Sequence, residues 1–210
     1  MRRTVDVWRF ALDLPDSALG LLVDTLSDSE RARAEAIRDA RALRRTLAAR
    51  GRLRCTLAGY LGVEPRSVEL TYGPHGKPAL VGEGGPRGLR FSASRSGNVG
   101  VIAVARGREV GIDVERIDAR RALGPIADQL FASDESAELR ALPDDRRIRR
   151  FFELWTRKEA YGKALGTGLT VPLAGLRAPS GWLVCDLALG ASVAGALCVR
   201  GRGLRVRMVE

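Results

Sequence analysis

A stripe of apolar positions carrying two charges organises the second half of the chain. Through Phe151–Leu169, FFELWTRKEAYGKALGTGL, a step of about 100° per residue places Phe152, Trp155, Glu159 and Lys163 on one line, with Ile148 just upstream. Phe151, Leu154, Tyr161 and Leu165 widen the apolar face, and Gly166-Thr167-Gly168 closes a helix of about four turns. Two charges one turn apart are thus aimed at the core or at a cleft in it. Buried charge is costly unless it is paired or bound to a metal. On the helix alone, the simpler arrangement is an internal Glu159–Lys163 ion pair.

Elsewhere the pattern changes period. Residues 4–12, TVDVWRFAL, alternate as a strand, with Val5 and Val7 on one face and Asp6, Trp8 and Phe10 on the other. Ser27-Asp28-Ser29-Glu30 reads as a capping box opening an Arg/Ala-rich helix. A second helix is predicted from Asp39 to Leu61. Leu43, Leu47, Leu57 and Leu61 form its stripe, Arg50 and Arg54 lie inside it, and Arg45 points the other way. Arginines in an apolar stripe pair with carboxylates or face an anion in a cleft.

Residues 64–100 are loop-rich, with a strong turn at Tyr72–Pro78 that holds His75, the only histidine, expected to be an ordinary surface residue. FSASRSGNVGVIAVA predicts a strand, a turn at Ser94-Arg95-Ser96-Gly97 whose groups suit phosphate oxygens, and a second strand at Val99–Ala105. On the strand Val110–Glu115, Ile112 and Val114 face the core while Asp113 and Glu115 share the opposite face. A short helix around Ser133–Ala141 and strands at Leu183–Leu189 and Val193–Val199 complete two αβ-type halves, without an internal sequence repeat.

Composition narrows the chemistry. No apolar run in the 210 residues is long enough to span a membrane, and the basic N-terminus has no apolar segment behind it, so no signal peptide is expected. Cys55, Cys185 and Cys198 have no C-x-x-C spacing, which argues against a disulfide framework or structural zinc and fits a reducing cytoplasm. A net charge of +10 asks for an anionic partner: nucleic acid, a phosphorylated cofactor or an acidic protein. Among 35 basic residues only Lys77, Lys158 and Lys163 are lysines, which marks them as places where a compact ammonium is needed. Asp113, Glu115 and Glu159 together form a candidate all-oxygen site for Mg²⁺ and phosphate, with Lys163 beside it.

With these residues in place the chain resembles the 4′-phosphopantetheinyl transferases of the surfactin-synthetase-activating (Sfp) type. Gly111-Ile112-Asp113-Val114-Glu115 matches the family's G-[IV]-D-[IV]-E. Trp155-Thr156-x-Lys158-Glu159-Ala160-x-x-Lys163-x-x-Gly166-x-Gly168 is complete. Gly76-Lys77-Pro78 and Phe91-x-x-Ser94-x-Ser96-Gly97 support them, with Arg95 where the family usually has His. Similarity in order and spacing runs from about Val5 to Leu173.

The resemblance implies an α+β fold of two similar α/β halves, residues 1–105 and 106–210, packed as a pseudo-dimer with the active site in the cleft between them. It implies a monomeric cytoplasmic enzyme that moves the phosphopantetheine arm of coenzyme A to a serine of an acidic acyl or peptidyl carrier protein, releasing 3′,5′-ADP. Asp113, Glu115 and Glu159 would hold Mg²⁺, with Mn²⁺ as a substitute. Asp113, Glu159 and Lys163 would be catalytic, Glu159 as the base for the carrier serine, directly or through water. Arg45, Lys77, Ser94, Arg95, Lys158 and Lys163 would grip coenzyme A.

Two other classes compete. A nucleic-acid-binding protein would explain the charge, but aromatic content is 5% and no helix-turn-helix or RNP pattern is present. A Mg²⁺-dependent phosphohydrolase shares the metal chemistry but not the long W-T-x-K-E-A block. Neither nucleic acid nor a membrane is therefore expected as a partner.

Overall fold

A computed structural model describes residues 3–81, 88–118, 127–128, 130–167 and 173–209. Gly168 and Leu169, at the end of the long motif, lie outside them.

The alternating N-terminal segment forms β1 (Thr4–Ala11), as expected, with Val5 and Val7 buried. Three helices follow: α1 (Asp16–Val23), α2 (Asp28–Glu35) and α3 (Ala40–Leu61). The capping box at α2 is reciprocal: Glu30 N donates to Ser27 Oγ at 3.3 Å and Ser27 N to Glu30 Oε2 at 3.1 Å. Asp39 caps α3 by accepting from Ala42 N at 2.6 Å, and Gly62 ends it in the left-handed region. The two stripe arginines take different solutions. Arg54 is buried against Glu30 at 2.6 Å and also donates to the Pro65 carbonyl. Arg50 faces a cleft, as described below.

A small hairpin, β2 (Leu70–Tyr72) and β3 (Pro78–Leu80), precedes β4 (Leu89–Ser96) and β5 (Val99–Arg106). The expected turn at Ser94–Gly97 is therefore displaced. Ser94, Arg95 and Ser96 belong to β4, paired with Val101, Gly100 and Val99, and the chain reverses at Gly97 and Asn98. Three serines spaced by two, Ser92, Ser94 and Ser96, thus occupy alternate strand positions and share one face.

The mixed α+β chain stacks as helix, sheet, sheet, helix. The first sheet has order β4-β5-β1-β9, where β9 (Arg205–Val209) returns to lie parallel to β1. Its outer face packs Phe91, Ile102 and Val104 against Leu53 and Leu57 of α3. Its inner face, with Val5, Val7, Val101 and Ala103, meets Ile112, Val114, Leu197 and Val199 of the second sheet. That sheet is antiparallel with order β6-β8-β7: β6 (Val110–Arg116), β8 (Val193–Arg200) and β7 (Trp182–Asp186).

Against the outer face of the second sheet lies α5 (Asp144–Leu165), after α4 (Ser133–Ala141). Helix α5 begins seven residues upstream of Phe151, with Pro143 as N-cap and Asp144 and Asp145 in the first turn, where carboxylates favour the helix dipole. Phe152 is fully buried beside Phe151 and Leu154. Gly166 ends the helix at φ 75°, which favours glycine.

Candidate active site

The site grows out of one close approach. A Cβ on Gly111 of β6 would lie 1.9 Å from the Ala160 carbonyl oxygen and 2.4 Å from Ala164 N of α5. Only a residue without a side chain lets strand and helix meet so closely. The contact sets Asp113 and Glu115, two and four residues on, beside Glu159 and Lys163 of α5.

Lys163 Nζ lies 2.6 Å from Asp113 Oδ1 and 2.8 Å from Ser94 Oγ, and Ser94 Oγ lies 2.8 Å from Asp113 Oδ1. The internal Glu159–Lys163 pair is thus replaced: among the described residues no bond joins them, and the partner of Lys163 is Asp113. One register further along, Ser96 Oγ donates to Glu115 Oε2 at 2.8 Å and accepts from Arg116 N at 3.0 Å. Ser92 Oγ accepts from Ile112 N at 3.2 Å. The serine ladder therefore serves the free edge of β6. It satisfies backbone N–H groups there and aims two carboxylates.

The electrostatics are unbalanced. Asp113 is 3% exposed. Its Oδ2 and Glu159 Oε1 are buried with no hydrogen-bond partner among the described residues. Burial pushes the Glu159 carboxyl above its usual range; Asp113 and Glu115 push the same way, while Lys163 opposes them. Among the described residues no three acidic, histidine or cysteine side chains are already closed into a metal cage. Two orphaned carboxylate oxygens and a third carboxylate within Coulombic reach nonetheless fit a hard divalent cation, which prefers such donors.

Beside this seam runs a cleft. A cavity of about 230 Å³ is lined by His75, Lys77, Pro78, Ser92, Glu159 and Lys163, among others. A second, of about 170 Å³, is lined by Thr46, Arg50, Pro78, Ser94 and Arg95, and the two share Pro78 and Ala93. Arg95 donates to Thr46 Oγ1 at 3.1 Å, and burial, Arg50 and Arg45 all depress its pKa. Guanidinium groups crowded in this way favour an anion between them. His75 is exposed, as expected of a surface residue, and stands at the lining of the cavity that also holds Glu159 and Lys163. Arg50 joins the site through its place in the α3 stripe.

The remaining basic residues are engaged locally. Arg45 holds Asp13 bidentately at 2.6 and 2.7 Å. Lys77 Nζ donates to the Val110 and Ala164 carbonyls at 3.4 and 3.3 Å, tying the β2–β3 hairpin to β6 and the end of α5. Lys158 is 4% exposed, paired with Glu135 at 2.9 Å and donating to the Leu176 carbonyl. Its ammonium faces Glu135 of α4 and the Leu176 carbonyl, and it lines neither of the two cavities described above. All three lysines place a compact ammonium among closely spaced oxygens, where a planar guanidinium fits less well.

Ser96 gives the first expected outcome. Ser96→Ala removes one hydrogen bond from Glu115 and one from the Arg116 N–H, and the affinity of the seam for a divalent cation falls by about 10- to 100-fold, as when an outer partner of a metal ligand is lost. Steady-state kinetics against metal concentration check this, and an unchanged metal dependence would remove Ser96 from the site.

An α+β framework that holds three carboxylates and a lysine on one strand–helix seam, beside an arginine-lined cleft, defines a class of protein suited to phosphate chemistry. Comparison with known proteins gives the family. Residues 109–191, which include the whole seam on β6 and α5, match the model of the 4′-phosphopantetheinyl transferase superfamily. The 4′-phosphopantetheinyl transferase HetI of Nostoc sp. is 43% identical over 165 residues, covering 79% of this chain and 70% of HetI. The similarly named slr0495 of Synechocystis sp. is 36% identical over 69% of this chain and 58% of its own length. A 4′-phosphopantetheinyl transferase of Bacillus subtilis is 30% identical over 61% and 55%. The chain belongs to the 4′-phosphopantetheinyl transferase superfamily and is an enzyme of that class. No helix among the described residues is long and apolar enough to cross a membrane.

Proposed function

We propose that the chain transfers the 4′-phosphopantetheine arm of coenzyme A to a serine of an apo acyl or peptidyl carrier protein, with Mg²⁺, releasing 3′,5′-ADP. The observation that carries this reading is the seam itself: Asp113 Oδ2 and Glu159 Oε1 buried without partners, next to Lys163. Asp113, Glu115 and Glu159 would hold the cation. When bound, it supplies positive charge to the pyrophosphate oxygens. Glu159, at the same seam, takes the proton of the carrier serine, directly or through a water molecule. Lys163, poised between Asp113 and Ser94, neutralises phosphoryl oxygens as charge builds.

The adjoining cleft suits the nucleotide end. Arg50 and Arg95 meet its phosphate, with Arg45 close to Arg95, and Lys77 supports the wall through its carbonyl contacts. The excess of arginine over acid attracts both coenzyme A and an acidic carrier. The pseudo-dimeric arrangement is supported by two 22-residue helices, α3 and α5, each packed on an antiparallel pair of strands and each ended by a left-handed glycine. Cys55, Cys185 and Cys198 are free thiols, in keeping with a reducing cytoplasm.

Thermal unfolding tests the ligand set directly. Coenzyme A with Mg²⁺ stabilises the fold by about 2.7 kcal/mol at a hundredfold excess over Kd, and each alone does so less. Melting temperatures that ignore coenzyme A at every Mg²⁺ concentration would contradict the reading.

A further inference from the structure

We propose that the groove between α3 and the β1–β9 edge is a second small-molecule site, which takes a planar aromatic carboxylate. The groove encloses about 710 Å³ and is lined by Trp8, Arg9, Phe10, Arg52, Tyr60 and Arg207, among others. That volume is ordinary for a small-ligand pocket.

Its walls are built and held. Trp8 and Tyr60 stand edge to face, with ring centroids 6.5 Å apart. Trp8 Nε1 donates to Tyr60 Oη at 3.0 Å, and Tyr60 donates to Asp6 Oδ2 at 2.6 Å. Arg207 clamps the same aspartate with two bonds of 2.8 Å. The chain Trp8–Tyr60–Asp6–Arg207 therefore fixes the two rings before any ligand arrives, so little ordering is needed on binding. Phe10 supplies a third aromatic face. Its position is set by β5, because a Cβ on Gly100 would meet the ring at 2.4 Å.

The charge of the groove is one-sided. Three arginines line it and no acidic residue does. Arg207 is already neutralised by Asp6, and Arg9 leaves β1 on the face opposite Trp8 and Phe10, which leaves Arg52. Among the described residues its side chain makes no hydrogen bond or ion pair, and its Nε is buried with no acceptor. A buried donor without a partner is unfavourable, the more so when it is charged. A carboxylate delivered between aromatic walls satisfies it, and flat rings suit the faces of Trp8, Phe10 and Tyr60.

The groove is distinct from the cleft assigned to transfer chemistry. It uses Arg52, Cys55, Thr56 and Gly59 of α3, whereas the arginine cleft uses Thr46, Ala49, Arg50 and Leu53. Phe10 is the partition, lining both.

Equilibrium dialysis of the full chain with 2-naphthoate, without coenzyme A, tests the site independently of the transfer reaction. The expected result is saturable one-to-one binding. Arg52→Gln weakens it by about tenfold or more, as does replacing the probe with uncharged 2-naphthalenemethanol. Gly59→Phe blocks it sterically: a Cβ on Gly59 meets nothing within 4 Å, so the ring enters the groove without disturbing the core. Arg50→Gln, across the Phe10 partition, leaves the affinity unchanged. Absence of saturable binding would overturn the proposal. So would binding that survives both Arg52→Gln and Gly59→Phe, or binding that is lost in Arg50→Gln instead.

Discussion

Asp113→Ala lowers carrier modification by about a thousandfold or more, the several kcal/mol that charge stabilisation at a divalent site supplies. Asp113 bears on each part of the seam. Its Oδ1 takes Lys163 and Ser94, its Oδ2 is a buried orphan, and its charge raises the Glu159 pKa. Removing it releases Lys163, which is partly exposed and can turn to water, so no fully buried cation is stranded. It also relieves repulsion on Glu159, whose pKa falls back towards the ordinary carboxylate range. These two changes in the metal-free protein oppose each other. Melting therefore stays within roughly 3 °C of wild type while activity collapses. Turnover close to wild type would remove Asp113 from the site, and a collapse of the melting temperature would make its role structural.

Gly111→Ala has the second large effect, through geometry rather than charge. The new methyl would stand 1.9 Å from one backbone atom and 2.4 Å from another, neither of which can swing away as a side chain can. Overpacking of this kind costs about 1–3 kcal/mol, or more when backbone must shift. The melting temperature should fall by roughly 2–4 °C per kcal/mol. Activity falls further than stability, because prising α5 from β6 moves Glu159 and Lys163 relative to Asp113. A misplacement of about 1 Å can cost a hundredfold in rate. Kinetics measured well below the lowered melting temperature separate the two effects. A variant that is destabilised yet fully active would show that the close approach serves the fold alone.

Much of the site was legible because its signals are local. The stripe of α5, the alternation in β6 and the capping box at Ser27 each depend on neighbours a few residues apart; β6 and the capping box formed where expected, while α5 began about two turns upstream of Phe151. The G-x-D-x-E spacing likewise put Asp113 and Glu115 on one face. What the sequence hid are partners brought together by distant segments. Lys163 found Asp113, 50 residues away, in place of Glu159 one turn along its own helix. Arg45 found Asp13, and Lys158 found Glu135. Strand β9 returned beside β1 across nearly the whole chain, with too many arginines to read as a buried strand.

The serine ladder was hidden for a different reason. Ser, Gly and Asn have turn chemistry, and the S-x-S-x-S period inside FSASRSG competes with it. The winning term is tertiary: β4 is fixed by pairing with β5, and its hydroxyls meet the otherwise open edge of β6. Period two was the available signal, and it outranked composition.

Intact-protein mass spectrometry of an apo carrier protein incubated with the enzyme, coenzyme A and Mg²⁺ tests the proposed transfer at the seam of Asp113, Glu115, Glu159 and Lys163. The expected result is a gain of one phosphopantetheine arm on the carrier, lost on adding EDTA and lost with Glu159→Ala. A gain that persists in EDTA, or that survives Glu159→Ala, would contradict it.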